Sequence, residues 1–320
     1  MNTAGDLWKK RITELALAYP HHEFIIALDA AVQKKHLSSA EIIVSGHIGT
    51  EEVKKAKSLK CFIVPWVGVN NMPFKLFSQR GIILGNAPGN TKIVAERALG
   101  LALTLTGRIA EFHEDMKERR EWHRSGLPED DWTSIYGKRI AIIGFGNIGK
   151  RIGMLMQPFG VKINAFKRSI PRQPPRGVFI TNSLEKALKG AFLVFVSLPL
   201  TSETKGIIGE KELGMMAGKY LVNVSRGELI EEEPLYRALK NCMLAGAAVD
   251  TWYRYPSIAE MRPEPSGYPF RELPNIIFSP HCSMHTLEGK MLDIRDTLAN
   301  VKHYIEQGAL KYRIDLEREY

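Results

Sequence analysis

A glycine-rich segment in the middle of the chain has the spacing of a phosphate-binding turn. It reads Gly144-Phe145-Gly146-Asn147-Ile148-Gly149, between an apolar run at 138–143 and a helix-forming stretch at 150–157. In such a setting the first glycine allows a tight turn, the second lets the backbone approach a pyrophosphate, and the third permits close packing of helix on strand. The start of the helix adds free N–H groups and partial positive charge. The residues predicted to bind a dinucleotide here are Gly144, Gly146, Asn147, Ile148 and Gly149.

The residues after the next apolar run indicate which dinucleotide is bound. The run 162–166 ends in Lys167, Arg168 and Ser169, where folds that bind NAD carry an acid for the ribose 2′-hydroxyl. An acid would repel a 2′-phosphate, whereas lysine and arginine bind one through charge-assisted hydrogen bonds. We therefore expect NADP(H) as the preferred cofactor, with NAD(H) as the alternative. The competing interpretation is a basic surface loop.

Short apolar runs alternate with polar, helix-forming stretches on both sides of this segment, which predicts parallel sheets covered by helices. In the first hundred residues the predicted strands are 24–28, 41–45, 61–64 and 81–84, and the predicted helices are 30–36, 51–59 and 72–79. A long helix is predicted over 91–120. The second series of predicted strands is 140–143, 162–166, 193–197, 220–224, 244–249 and 275–278, and a last helix is predicted over 286–307.

Length and composition indicate a globular protein of two domains. The chain has 320 residues, of which 44% are hydrophobic and 25% charged. We find neither a membrane-spanning run nor a signal peptide, and the three cysteines form no disulfide framework, so we expect a cytoplasmic protein without a membrane partner. The net charge of +9 comes from basic residues interleaved with acids, which favours anionic small molecules over nucleic acid as partners.

From Pro65 onward the sequence resembles the D-isomer-specific 2-hydroxyacid dehydrogenase family, glyoxylate and hydroxypyruvate reductases in particular. The blocks that carry the resemblance, in order, are 85–89 with 94–96, 223–230, 245–250 and 273–281. The first sixty residues match only in pattern. The resemblance implies an α/β fold of two doubly wound, Rossmann-like domains. The dinucleotide-binding domain, 107–285, would be inserted into a flavodoxin-like substrate domain, 1–106 with 286–320.

The resemblance also implies roles for individual residues. Arg226 would bind the substrate carboxylate and polarise its carbonyl, since a guanidinium binds a carboxylate in two places. His281 would donate a proton to the carbonyl oxygen. Val67 and Gly68 would offer backbone N–H groups to the carboxylate. Further residues expected along the cofactor are Thr91, Val94, Leu198, Pro199, Thr204, Val224, Ser225 and Asp250, the last beside the carboxamide.

The chain departs from the family beside the proposed proton donor. The family pairs its histidine with a glutamate directly before a proline, and here that place is Tyr255-Pro256. A glutamate would raise the histidine pKa and orient the ring, whereas a tyrosine orients it without adding charge. Alternatively an insertion makes Glu264 the partner. An alignment without insertions places Tyr255 at the family's glutamate position. The need for a carboxylate partner favours Glu264 instead.

The implied activity is transfer of hydride between NADP(H) and a small 2-oxo or D-2-hydroxy acid of the glyoxylate or hydroxypyruvate type, by a homodimer without a metal. Because nothing beyond the core enzyme is appended, a regulated phosphoglycerate dehydrogenase with an extra C-terminal domain is disfavoured. A formate dehydrogenase is an alternative that ranks below the reductases. The alternative from another class is a non-catalytic, dinucleotide-sensing protein of the corepressor type. Tyr255 in the place of the acid favours that alternative.

Overall fold

The computed structural model describes residues 4–320, which form two compact units. One unit comprises the described residues up to Ile93 together with Met284–Tyr320, and the other comprises Val94–Ser283. These units divide at 93/94 and 283/284. The functional domain boundaries expected from the sequence, 106/107 and 285/286, stay a prediction.

The helices are α1 (Ala4–Ala18), α2 (Ala30–His36), α3 (Thr50–Lys55), α4 (Phe74–Gln79), α5 (Thr91–Thr106), α6 (Ile109–Glu114), α7 (Asn147–Met156), α8 (Leu184–Leu188), α9 (Glu210–Met215), α10 (Glu232–Lys240) and α11 (Leu287–Gln307). The strands are β1 (Ile42–Val44), β2 (Cys61–Val64), β3 (Ile83–Asn86), β4 (Arg139–Ile143), β5 (Lys162–Phe166), β6 (Val178–Thr181), β7 (Leu193–Val196), β8 (Tyr220–Asn223), β9 (Gly246–Val249) and β10 (Ile276–Phe278). Short 3₁₀ turns lie at Pro128–Asp130, Gln157–Phe159, Gly227–Leu229 and Phe270–Glu272.

The first unit is built on a parallel sheet of three strands in the order β1-β2-β3. Every residue of the central strand β2 is buried, as expected of a strand covered on both faces. The predicted strand at 24–28 is wrong, because that segment pairs with no neighbour. Phe24 alone packs against the core beside Cys61, while Leu28 is 76% exposed. The helix α1 was not predicted.

The second unit is built on a parallel sheet of seven strands in the order β10-β9-β8-β7-β4-β5-β6. The chain starts at the central strand β4, builds one half through β5 and β6, and then builds the other half from β7. The strand order therefore reverses between β4 and β7, and open α/β sheets bind ligands beyond the carboxyl ends of strands at such a point. This confirms the predicted doubly wound α/β class. The edge strand β6 was missed.

The helix predicted over 91–120 is interrupted. It ends at Thr106, and Arg108 has a left-handed backbone with φ +51°, so the chain restarts as α6 and then a π-turn at Asp115–Arg119. The Arg108 guanidinium donates to Glu111 at 2.9 Å and to the carbonyl of Asp131 at 3.1 Å, which fixes the break. The last predicted helix is confirmed as α11, with the side chain of Thr286 accepting from the Gly289 N–H. Across residues 4–320, no helix has the length and apolar character of a membrane span.

Candidate active site

The glycine-rich turn lies between β4 and α7, as predicted. Gly144 has φ +101°, and a Cβ there would lie 2.6 Å from the backbone nitrogen of Leu198. A Cβ on Gly149 would collide with the carbonyl oxygen of Gly144, so this helix packs against the turn only with glycine. Gly146 is different, since it is exposed and a Cβ there would meet nothing within 4 Å. The open side of the turn and the first N–H groups of α7 thus suit a pyrophosphate.

The basic residues after β5 lie beside this turn. Lys167 donates from its ammonium to the carbonyl of Phe145 at 3.3 Å, and burial together with the charge of Lys150 lowers the pKa of Lys167. Arg168 forms an ion pair with Glu203, which follows β7 in the chain. The sequence analysis did not single out Glu203. Ser169 is exposed at the start of the next loop.

The loop after β7 is held by its own hydroxyl groups. The Thr204 hydroxyl donates to the carbonyl of Pro199 at 2.7 Å and accepts from the Thr201 N–H at 2.9 Å. Thr204 is buried, so its visible role is to close the loop, and Pro199 stays exposed. Leu198 is half-buried, and its carbonyl accepts from the Ser225 hydroxyl.

Arg226 follows β8, and buried Asn223 holds its backbone. The Asn223 amide donates to the Arg226 carbonyl at 2.9 Å, and its oxygen accepts from the Ser225 N–H at 3.0 Å. Burial lowers the pKa of the Arg226 guanidinium, while Tyr255 and Glu228 oppose that shift. Withdrawn from water, the guanidinium interacts more strongly with an anion than an exposed one would. Val224 is buried beneath this turn.

Gly227 lets the next loop approach the Arg226 turn. A Cβ on Gly227 would lie 2.5 Å from the carbonyl oxygen of Trp252, so any larger residue would push the two loops apart. Trp252 stacks on Phe278 with ring centroids 4.7 Å apart, and its indole N–H donates to the Ser279 carbonyl at 3.0 Å. These contacts tie the ends of β9 and β10 together.

Asp250 is fully buried and organises the loop that carries His281. Its carboxylate accepts from the N–H groups of Cys282 at 3.1 Å and Ser283 at 3.2 Å. It also accepts from the hydroxyl groups of Ser283, at 2.6 Å, and Ser279. Both carboxylate oxygens therefore hold loop groups, and a role of Asp250 beside a carboxamide stays a prediction.

His281 adopts the left-handed backbone conformation, with φ +53°. Non-glycine residues rarely do so, although histidine does so more often than most. The bonds from Asp250 to the two following residues maintain this conformation. Ser279, two residues earlier, accepts a hydrogen bond from Arg97 of α5 at 3.1 Å.

The structure separates the two candidate partners of His281. The Tyr255 ring lies 5.3 Å from the His281 ring, and its hydroxyl accepts from the Trp252 N–H at 3.0 Å. Glu264 lies on the exposed surface, where it pairs with Arg271 at 2.7 Å. Burial raises the pKa of Tyr255, so the hydroxyl is neutral at ordinary pH.

The remaining predicted residues lie around the end of β2 and the start of α5. Asn86 donates to the carbonyl of Val67 at 2.7 Å, which fixes the turn that contains half-buried Gly68. The ring of Trp66 lies over Gly46, where any Cβ would collide with it. Thr91 begins α5 and is half-buried, and Val94, one turn on, is buried.

Several residues that build the candidate site were missed from the sequence. They are Asn223, Gly227, Trp252, Ser279 and Glu203. Asn223, Gly227 and Ser279 lie inside the matched blocks, and Trp252 lies two residues beyond one of them. An expectation of buried polar groups between strand ends would have found Asn223 and Ser279. Glu203 carries no such signal, because a lone glutamate in a loop after a strand is usually solvated.

The fold and the glycine turn define a dinucleotide-binding α/β protein. Residues 99–283 match the sequence model of the D-isomer specific 2-hydroxyacid dehydrogenase NAD-binding domain. The chain belongs to the D-isomer specific 2-hydroxyacid dehydrogenase family, a family of oxidoreductases that use a nicotinamide dinucleotide, which confirms the resemblance seen in the sequence.

Two curated relatives and one solved structure illustrate the match. A glyoxylate reductase from Thermofilum pendens is 30% identical over 261 residues, covering 78% of this chain and 72% of that protein. A D-3-phosphoglycerate dehydrogenase from Methanocaldococcus jannaschii is 32% identical over 261 residues, 79% of this chain, but the chain spans only 48% of that protein's length. The structure of D-lactate dehydrogenase from Aquifex aeolicus, complexed with NAD and lactic acid, superposes with a TM-score of 0.80 at 23% identity, covering 94% of this chain and 96% of that one.

Proposed function

We propose that this protein reduces a small 2-oxo acid of the glyoxylate or hydroxypyruvate type to its D-2-hydroxy acid with NADPH. The observation that carries the proposal is one hydrogen-bond network around Arg226 and His281. Asn223 holds the Arg226 carbonyl, and its own carbonyl accepts from the Asp250 N–H at 2.9 Å. The Asp250 carboxylate in turn holds the loop of His281. A network that fixes an anion-binding group and an acid–base group together supports catalysis.

Arg226 binds and polarises the substrate in this proposal. Its planar guanidinium has donors for a carboxylate and for the adjacent carbonyl oxygen, and it stays protonated even though burial lowers its pKa. Positive charge beside the carbonyl oxygen stabilises the negative charge that develops there as the carbon is reduced. The N–H groups of Val67 and Gly68 would add hydrogen bonds to the carboxylate.

His281 supplies the proton. The nicotinamide cofactor, held along the glycine turn, would supply the hydride for the carbonyl carbon. The imidazolium of His281 donates its proton to the carbonyl oxygen, which gives the hydroxyl group. Tyr255 orients the ring by contact and adds no negative charge. The buried Asp250 carboxylate contributes by holding the loop of His281 through Cys282 and Ser283.

The cofactor is proposed to lie along the turn at Gly144, Gly146, Asn147, Ile148 and Gly149. The open face at Gly146 fits a pyrophosphate, and Lys167, Arg168 and Ser169 fit a 2′-phosphate rather than a ribose diol. The other residues proposed along the cofactor are Thr91, Val94, Leu198, Pro199, Thr204, Val224, Ser225 and Asp250.

We further propose that the protein is a homodimer joined through its cofactor units. The segment 115–132 carries large apolar side chains that are exposed in one chain, among them Trp122 at 67% and Trp132 at 58%. Burying them against a second copy removes this apolar area from water. Sedimentation equilibrium should give twice the chain mass of 36.0 kDa at micromolar concentration. A monomer under those conditions would contradict the proposal.

NADPH oxidation tests the function directly. Purified protein is mixed with NADPH and glyoxylate, hydroxypyruvate, pyruvate or phosphohydroxypyruvate, and absorbance is followed with an Arg226→Lys variant as control. We expect turnover with at least one small acid, and a large loss in the variant, because lysine lacks the planar fork. A dinucleotide sensor, the alternative that Tyr255 favours, would bind NADPH without oxidising it with any acid.

A further inference from the structure

One ion pair links the two sides of the proposed adenosine site. The Arg168 guanidinium, two residues beyond β5, contacts the carboxylate of Glu203, which lies beyond β7. Both side chains face solvent, with 43% and 69% of their surfaces exposed. In the sheet, β4 lies between β5 and β7, so the carboxylate reaches the arginine from the loop across the central strand.

The position of Glu203 is set by its loop. The neighbouring residue Thr204 is buried, and its hydroxyl closes the loop through the Pro199 carbonyl at 2.7 Å and the Thr201 N–H at 2.9 Å. Because the backbone is fixed at Thr204, the neighbouring side chain of Glu203 has fewer conformations available before it pairs with Arg168. The ion pair with Arg168 therefore loses less conformational entropy than a pair between two mobile loops.

Arg168 faces solvent, with 43% of its side-chain surface exposed. The Lys167 ammonium is directed towards the Phe145 carbonyl of the glycine turn at 3.3 Å, and burial lowers its pKa. A 2′-phosphate that reaches Arg168 meets a guanidinium already in contact with a carboxylate. The two anions cannot share one face of the guanidinium without repelling each other.

We propose that Glu203 is a specificity-determining residue, whose carboxylate competes with the 2′-phosphate of NADP(H) for the guanidinium of Arg168. The inference rests on the proposed use of NADP(H). Binding of NADPH must break the Arg168–Glu203 pair, whereas NADH leaves it intact. Glu203 therefore opposes NADPH selectively and moderates the preference that the basic residues create. Exposed ion pairs contribute little, so the effect is bounded at about fivefold in the dissociation constant.

A Glu203→Gln variant tests this competition. Dissociation constants for NADPH, NADH and adenosine 2′,5′-bisphosphate are measured by calorimetry at low ionic strength in the 320-residue chain. We expect NADPH and the bisphosphate to bind about two- to fivefold more tightly to the variant, with NADH unchanged. Glu210→Gln is the matched control, because it removes the same charge from an exposed residue whose neighbour is Arg237. It should change none of the three constants.

A double variant assigns the effect to the arginine. In an Arg168→Ala background, Glu203→Gln should not increase the affinity for NADPH, because the guanidinium for which the two anions compete is absent. The inference is overturned if Glu203→Gln leaves NADPH binding unchanged, or if it weakens NADH binding, which would make Glu203 an acceptor for the ribose hydroxyls. Equal affinity of the unaltered protein for both dinucleotides, with a gain for NADPH in Glu203→Gln, would contradict only the proposed cofactor preference. Failure of the unaltered protein to bind either dinucleotide would overturn both.

Discussion

The ring of Tyr255 lies 5.3 Å from the ring of His281, centroid to centroid, at an interplanar angle of 51°. The side chain that packs against the proposed proton donor is therefore a tyrosine. Because burial raises the pKa of Tyr255, its hydroxyl carries no charge at neutral pH. The Tyr255 ring and the left-handed backbone of His281, with φ +53°, both bear on the orientation of the imidazole.

Variants of the two candidate partners should therefore differ. Tyr255→Phe keeps the ring contact but removes the hydroxyl that accepts from the Trp252 N–H, so we expect kcat to fall by less than about tenfold, a loss typical of one neutral hydrogen bond. Glu264→Gln should leave kcat and the pH–rate profile unchanged, because that carboxylate pairs with Arg271 at the surface. Activity should decline as pH rises, since the protonated imidazole is the donor. A profile displaced by Glu264→Gln would show that the loop is arranged differently.

Cofactor preference should depend on Arg168. A charge-assisted hydrogen bond contributes roughly 1.5–3 kcal/mol, so NADPH should bind at least about tenfold more tightly than NADH despite the competing carboxylate. Arg168→Ala should erase most of that difference and leave the NADH constant unchanged. Fluorescence titration measures both constants. Retention of the full preference in Arg168→Ala would mean that another group recognises the 2′-phosphate.

Asp293 should make stability depend on pH. It is 3% exposed and accepts from Asn90 at 3.0 Å, and burial raises its pKa to about 7. A carboxyl group whose pKa is raised on folding contributes stability at low pH that is lost as pH rises through the folded value. The free energy of unfolding of Asp293→Asn, relative to that of the unaltered protein, should therefore increase as pH rises from about 4 to 7. Above about pH 7 the increase should be complete, at on the order of 2–4 kcal/mol.

Thermal unfolding at about pH 5 and pH 8 checks this prediction. The difference between Asp293→Asn and the unaltered protein should be larger at the higher pH. Asp131→Asn, a change at an exposed carboxylate, should show no such trend. A variant less stable than the unaltered protein at pH 8 would mean that Asp293 is ionised and compensated in the folded state.

The sequence predicted the parallel sheets well where strands are continuous apolar runs. The strands β2, β4, β5, β7 and β8 lie in the middle of their sheets, and their burial leaves a strong pattern. The edges were harder to predict. The segment 24–28 is as apolar as a strand, yet it pairs with no other strand. Conversely, β6 is a strand although its Phe179 is exposed, so its sequence lacks the continuous buried pattern of the central strands. Pairing depends on neighbours distant in sequence, which local periodicity does not report.

The site shows the same division between local and distant information. The glycine turn was predicted because its residues are consecutive and each glycine has its own steric reason. The sequence did not decide whether Tyr255 or Glu264 lies beside His281, because an insertion in the proline-rich loop would shift the alignment with the family. The links from Asp250 to Ser283 and from Arg168 to Glu203 join residues more than thirty positions apart. Such pairs follow from the strand order of the sheet, not from the spacing of residues.

A single-turnover measurement of His281→Ala tests the central claim most directly. Enzyme saturated with NADPH is mixed with hydroxypyruvate, and the loss of the reduced nicotinamide signal is followed in a stopped-flow instrument. If His281 is the proton donor, the variant should bind NADPH as the unaltered protein does, yet react about 10²- to 10⁴-fold more slowly, the usual contribution of general acid catalysis. Equal rates in the two proteins would contradict the account, because the network from Asn223 through Asp250 would then hold a loop that does no chemistry.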